Sequence, residues 1–387
     1  MSGAFLVVLL FGLVSLFADI TYESMRSVLG PLIQVVGGSV AFAGIAGGLG
    51  ELISYSLRPI SGYLADKLRA HWIFTFIGYI IGLFSIPLMG FCSSAQCVFI
   101  LSQTERFGKA LRNPARDYLI STVSHKYGRS FAIHEAVDQV GSVLGPVLIA
   151  FLISNFGYST ALKSMFVPAT ISIILLFITR KFYSDYISRK YLGQYEILDE
   201  KISYNGNPKD GEKSNAFVGD DIFKLYILFV FLTTLGFLNF QIISFHLKSI
   251  GFSDFVIPVI FAGAMFVDSV TAIPFGLIFD RKPFLTLIFI PITGVLGTFS
   301  LVNPVFMFFW GAYMGLSESI VKSGLAKIRK SAGAFGTLYL FSGLASLIGS
   351  FIFSLLYERN SYSIILISFV FQFLSALVLL KLRKFFK

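Results

Sequence analysis

Long apolar runs alternate with short polar breaks along the chain. A helix that spans a bilayer needs roughly 20 mostly apolar residues. Twelve runs reach that length, near residues 4–33, 40–65, 72–92, 96–119, 130–153, 161–180, 222–247, 254–279, 284–302, 304–326, 335–357 and 361–381. They are too long for barrel strands and lack strict alternation. The pattern predicts an all-α integral membrane protein with 12 transmembrane helices. One polar break is long, and it holds Asn205-Gly206-Asn207-Pro208-Lys209-Asp210-Gly211, a string of turn formers. The expected organisation is a six-helix bundle over 1–180, a cytoplasmic linker over 181–221 with room for an amphipathic surface helix, and a second six-helix bundle over 222–387.

Composition agrees with this class. Apolar residues make up 55% of the chain and charged residues 13%, against about 25% charged in a soluble domain. The opening Met-Ser-Gly has no basic region, and its apolar run continues into Asp19 and Tyr22, so the first run should stay as a helix. The net charge of +10 raises the question of nucleic acid. Its distribution answers it. With the N-terminus in the cytoplasm, inner loops and helix ends hold Lys67, Arg69, Arg106 to Arg129, Arg180 to Lys224, Arg281, Lys282, Lys322 to Lys330 and Lys381 to Lys387. Arg26, Arg58, Lys163, Lys248 and Arg359 fall elsewhere. This is the positive-inside pattern, so the charge reads as topology and as contact with anionic membrane lipid, not as a nucleic-acid site. It places a multi-pass chain in the plasma membrane with both termini cytoplasmic. Cys92 and Cys97 flank an outer turn, either as free thiols or as a local disulfide facing an oxidising exterior.

The chain also repeats itself. Gly62-Tyr-Leu-Ala-Asp66-Lys67 after the second run has an echo in Gly276-Leu-Ile-Phe-Asp280-Arg281 after the eighth. Glu105 and Lys109 in run four match Glu318 and Lys322 in run ten, and Gly145 matches Gly349. With Arg106 in run four and Gly141-Ser-Val-Leu-Gly145-Pro146 in run five, these landmarks resemble the major facilitator superfamily (MFS) over essentially the whole length. The resemblance implies two pseudo-symmetric six-helix bundles that rock about a site near mid-membrane. It implies proton coupling at Arg106. The run-five string resembles the antiporter motif, incompletely; as a small-residue stripe, Gly141, Gly145 and Pro146 suit close helix packing. The loop pair implies a gate of Gly62, Asp66, Lys67, Gly276, Asp280 and Arg281 that closes the inside by charge contact between halves. Leu68-Arg69-Ala70-His71 departs from the family, where a second Gly-Arg pair is common.

Charged groups at membrane depth are costly and are functional candidates by default. Asp19, Glu23 and Arg26 share one face of run one with Tyr22 beside them. They are either a self-neutralising cluster or the wall of a substrate and proton site. Glu51 and Arg58 share a face of run two, Glu51 at a depth similar to Asp19. Two carboxylates sharing one low-dielectric site cannot both ionise easily, whereas Arg58 would lock Glu51 in a static pair. Glu105, Lys109, Arg112 and Arg116 form a stripe on run four, with Pro114 expected to bend or end the helix. The inner end, Arg112 and Arg116, reads as a gate or lipid contact. Run five opens with His134, Glu135 and Asp138; Glu135 and Asp138 face the cytoplasmic cavity, and His134 is either a proton shuttle or a satisfied polar residue. The second half offers Asp268, Glu318 with Lys322, Asn239 and Gln241.

A phosphate loop of the Gly-x-x-x-x-Gly-Lys-Ser/Thr type, a zinc-spaced Cys/His cluster and a nucleophile motif are all absent from the sequence. Neither an enzyme nor a cofactor is expected. The expected function is secondary active transport of a small organic solute by alternating access, with proton-coupled export by a monomer leading. The rivals are proton symport or facilitated import of a sugar, organic acid or peptide, and a lipid-moving or receptor-like protein that reuses the fold.

Overall fold

The computed structural model describes residues 3–123, 127–198, 220–329, 332–359 and 361–386. Among them there is no strand. The helices are α1 (Gly3–Val35), α2 (Val40–Ser56), α3 (Arg58–Lys67), α4 (His71–Met89), α5 (Ala95–Val123), α6 (Tyr127–Ser164), α7 (Phe166–Leu198), α8 (Asp220–Leu235), α9 (Phe240–Ser249), α10 (Val256–Arg281), α11 (Pro283–Thr298), α12 (Met307–Ile328), α13 (Ala332–Arg359) and α14 (Ser361–Lys381). Each expected run is occupied by helix. Runs two and seven are each split into two helices.

The splits have local causes. Pro59 lacks an N–H and crowds the residue before it, so α2 stops at Ser56 and α3 restarts with Pro59 in its first turn. Between α8 and α9, Asn239 caps the new helix by accepting from Ile242 N–H at 3.1 Å.

Among the described residues, nine stretches are long and apolar enough to cross a membrane. One covers 137–188, too long for a single crossing. It turns back at Gly157, whose φ of 74° is left-handed, a conformation glycine adopts without a Cβ penalty. Before that turn α6 runs parallel to α1, with Val137 beside Gly12 and Gly145 beside Ile20. After it α7 runs antiparallel, Ser172 Oγ donating to Val14 O at 2.8 Å and Tyr186 packing on Gly3. The charged helices α5 and α12 lie against apolar neighbours, at Gly78 and Gly82 of α4 and at Ala264 of α10.

One buried cluster joins Phe11, Val14, Tyr79, Leu83, Ile120 and Leu162 from the first half of the chain. A second joins Tyr226, Phe229, Phe279, Ile320 and Leu379. A third, with Val40, Phe240, Phe261, Trp310 and Phe353, lies where the halves meet. Large apolar side chains such as Ile100, Phe151, Phe177 and Leu366 point outward, as hydrocarbon solvent requires.

The structure decides between alternatives that the sequence left open. α5 continues through Pro114 to Val123 instead of ending there. α7 continues to Leu198, well into the stretch read as linker; residues 199–219 of that linker lie outside the described residues. The two cysteines are bonded, with Cα atoms 5.6 Å apart.

Candidate functional site

The charged groups meet where α1, α2 and α5 of the first half face α10 and α12. Arg106 Nη1 lies 3.4 Å from Glu51 Oε1, and its Nε lies 3.2 Å from Glu105 Oε2. Gly50 makes this reach possible, since a methyl there would sit 2.9 Å from Arg106 Cγ. Gln103 Nε2 donates to Ala46 O at 3.2 Å and ties α5 to α2 beside the cluster. The two acids differ: the Glu105 side chain is 2% exposed and that of Glu51 25%.

Arg26 carries the network to the second half. It pairs with Glu23 at 3.5 Å and stands 5.7 Å from the Phe261 ring centroid of α10. Glu51, Glu318 and Tyr55 lie in its electrostatic reach. Glu318 of α12 is exposed. The self-neutralising Glu23–Arg26 pair read from the sequence is present, but it also joins the larger network.

The expected Asp19–Glu51 couple is corrected. Close packing of α1 on α6 at Gly141 and Gly145 turns Asp19 toward α6, where its charged neighbours are Asp138, Lys109, Glu23 and Arg112. Glu51 instead faces Arg106, because Gly50 leaves the space. The alternative of a static Glu51–Arg58 pair is corrected as well. Arg58 Nη2 donates to Ser54 Oγ at 3.3 Å, and its guanidinium stands 5.0 Å from the Tyr55 ring and 5.8 Å from that of Tyr339. Those two rings stack across the halves at 5.5 Å.

Arg112 is 2% exposed, so a lipid contact is ruled out. Its guanidinium is sandwiched between the Tyr22 and Tyr79 rings at 4.7 and 4.4 Å, a favourable setting for a desolvated cation. Lys109 Nζ stands 5.7 Å from the Tyr22 ring. Arg116 donates to Asp117 at 2.8 and 3.0 Å and to Ser15 Oγ at 3.4 Å. Asp268 is buried against Gly315 of α12. Ser24 Oγ donates to Gly145 O at 2.7 Å, and Pro146 is buried beside it.

The loop pair is unequal. Asp66 Oδ1 meets His71 Nε2 at 2.8 Å, and the His71 ring stacks on Tyr118 at 3.9 Å. Lys67 Nζ is 5.8 Å from the Tyr63 ring. A Cβ at Gly62 would meet Pro114 of α5 at 3.2 Å, whereas one at Gly276 would meet nothing within 4 Å. Arg281 is exposed. The side chains of His134, Glu135 and Asp280 lie outside the described residues.

Residues that the sequence reading did not select also join the halves. Gln139 Oε1 accepts from Ser142 Oγ at 2.9 Å and from Ser269 Oγ of α10 at 2.8 Å. Asn239, which the sequence reading did name, joins them too: its Nδ2 donates to Gly44 O of α2 at 3.2 Å and to Ser350 Oγ of α13 at 2.6 Å. The available signal was a polar side chain in an apolar run. Tyr55 and Tyr339 carried no such signal, because aromatic residues are common throughout the chain.

A sequence profile described as the Major Facilitator Superfamily matches residues 3–328. The chain belongs to the major facilitator superfamily. An uncharacterized protein of Mycobacterium tuberculosis is 31% identical to it over 395 residues, covering 98% of this chain and 94% of that one. An uncharacterized MFS-type transporter of Methanocaldococcus jannaschii is 28% identical over 394 residues, covering 96% and 94%. Among solved structures, a peptide transporter POT in complex with sulfate superposes with a TM-score of 0.74 at 12% identity, covering 98% of this chain and 94% of that one. The nucleoside transporter NupG gives 0.67 at 14% identity, covering 98% and 99%. At such identities these structures share the fold alone. The MFS chain is thus an all-α, multi-pass membrane transporter, a class that moves solutes and does not transform them.

Proposed function

We propose that this transporter moves a small polar organic solute by alternating access, coupled to protons, and that it works as an exporter. The observation that carries the reading is Arg106 held between Glu51 and Glu105. One guanidinium shared by two carboxylates is a poised arrangement: a proton on Glu51 leaves Arg106 balanced by Glu105, and a solute anion can then take the place that Glu51 gives up. Glu51 is the better exposed acid and therefore the exchanging one. Arg26 and Glu318 supply opposite charges across the halves, which suits an anionic or zwitterionic solute. The two bundles split at 181–221 would rock about this cluster. The gate role of Gly62, Asp66, Lys67, Gly276, Asp280 and Arg281 is part of the same reading.

The halves pack closely at the end that carries the Cys92–Cys97 bridge. A disulfide belongs on the oxidising side of a plasma membrane, and the basic loops lie at the opposite end. Both supports favour cytoplasmic termini and a site that faces the cytoplasm here, where an exporter loads.

A thermal-shift screen of solutes at two pH values identifies ligands. Purified protein in liposomes then shows flux of a hit that depends on a pH gradient. Flux unchanged when the gradient is collapsed removes the coupling. Glu51→Gln is expected to abolish gradient dependence, and Asp19→Asn to weaken it. Full retention in both moves the assignment to other carboxylates.

A further inference from the structure

At the disulfide end, one carboxylate oxygen joins the two halves. Asp254 Oδ1 accepts from Tyr158 Oη at 2.6 Å and lies 2.5 Å from Lys248 Nζ. Tyr158 belongs to the first half and directly follows the Gly157 turn. Lys248 and Asp254 belong to the second half and flank Gly251, at φ 93° a second left-handed turn. The Lys248 ammonium also stands 5.8 Å from the Tyr158 ring centroid. Ser159 Oγ donates to Gly90 O at 2.7 Å, which anchors the Tyr158 turn to the loop closed by Cys92–Cys97. Close by, Gln34 Nε2 donates to Ser249 Oγ at 3.2 Å across the same seam. Below it α1 and α9 are in backbone contact, so that a Cβ at Gly30 would fall on Ser244 Oγ and Gln241 O.

We infer that Tyr158, Lys248 and Asp254 form a latch that holds the halves closed on the disulfide side and must release for the site to face that side. The division of labour supports a reversible contact. The ion pair lies wholly within the second half, so Asp254 keeps its cation when the halves part. What this latch loses is the phenol's hydrogen bond to the carboxylate and the weaker contact of the Lys248 ammonium with the Tyr158 ring. Such a bond to a charged group is strong enough to bias two states by about tenfold or more, yet weak enough to break in each cycle. The turns on which the three residues sit are positioned by the two glycines and the anchored loop, so the latch depends little on packing deeper in the seam.

The inference rests on alternating access but on neither proton coupling nor direction, and its test needs no solute. The two cysteines of the chain are both in the bridge, so Ser244→Cys introduces the one free thiol. Ser244 is fully buried in the seam. Protein in nanodiscs is treated with a maleimide under non-reducing conditions, and the labelling rate reads opening on the disulfide side. In the Ser244→Cys background, Tyr158→Phe and Asp254→Asn are each expected to raise that rate about tenfold. Lys163→Met serves as the control. It lies beyond the same turn but contacts Phe91 within the first half, at 4.3 Å, and should leave the rate unchanged. Tyr158→Phe removes a single hydroxyl, so a folded protein is expected, checked by elution volume and melting temperature. Unchanged labelling in both latch variants overturns the inference. An equal rise in Lys163→Met also overturns it, because general loosening of the turn would then explain the result. Proton-coupled flux can fail or stand independently of either outcome.

Discussion

Arg106 of α5 lies 3.4 Å from Glu51 of α2 and bridges two helices that the chain separates by a full helical hairpin. The same guanidinium holds Glu105 of its own helix at 3.2 Å. Removing one member of a buried charge set leaves the others uncompensated. Arg106→Ala is therefore expected to destabilise the protein by about 3–5 kcal/mol. Adding Glu105→Gln should recover part of that loss, a coupling that a double-mutant cycle of unfolding in detergent would measure.

Gly50 tests the geometry without touching a charge. An alanine there puts a methyl 2.9 Å from Arg106 Cγ and displaces the arginine from Glu51. Alanine also favours the helix by about 1 kcal/mol over glycine. Gly50→Ala is expected to keep the melting temperature near that of the parent while gradient-driven flux falls. A melting temperature as low as that of Arg106→Ala would show that the site had lost its fold instead.

The matched loop glycines should respond differently to the same change. Gly62 faces Pro114 at 3.2 Å, and Gly276 faces open space. Gly62→Leu is expected to lower the yield of monodisperse protein, because α3 cannot shift from α5 without losing Ser61 Oγ to Ala110 O at 2.7 Å. Gly276→Leu should purify normally. Size-exclusion profiles of the two variants decide the point.

The bridge between Cys92 and Cys97 closes a small loop. A loop of that size contributes roughly 2 kcal/mol through the unfolded state. Replacing both cysteines by serine is expected to lower stability by about that amount. Mass spectrometry of native protein alkylated without reductant should show no added label.

Much of this molecule is written in its apolar pattern. Every one of the segments read from that pattern is helical, because length and hydropathy decide helix formation where the solvent cannot satisfy a backbone. The Glu23–Arg26 pair was equally legible, since residues three apart share a helix face. The helix breaks were less so. The second run was read as continuous through Pro59, where the helix restarts, whereas the turn at Gly157 falls in the gap read between the runs ending at 153 and starting at 161.

The partners of the charged residues on other helices were not legible. Sequence spacing orders groups along one helix and says nothing of which helix faces it. Glu51 was matched with Asp19 by depth and with Arg58 by face; the structure assigns it to Arg106, because Gly50 leaves room for that side chain. Asp19 faces α6 because Gly141 and Gly145 let two backbones approach. The joining of Tyr158 to Asp254 depends on two turns far apart in the chain. The sequence by itself thus determined helices, family and the inventory of charge at membrane depth. Tertiary packing alone decided which charges meet, since that choice is made by small residues at crossings where one methyl group redirects a side chain.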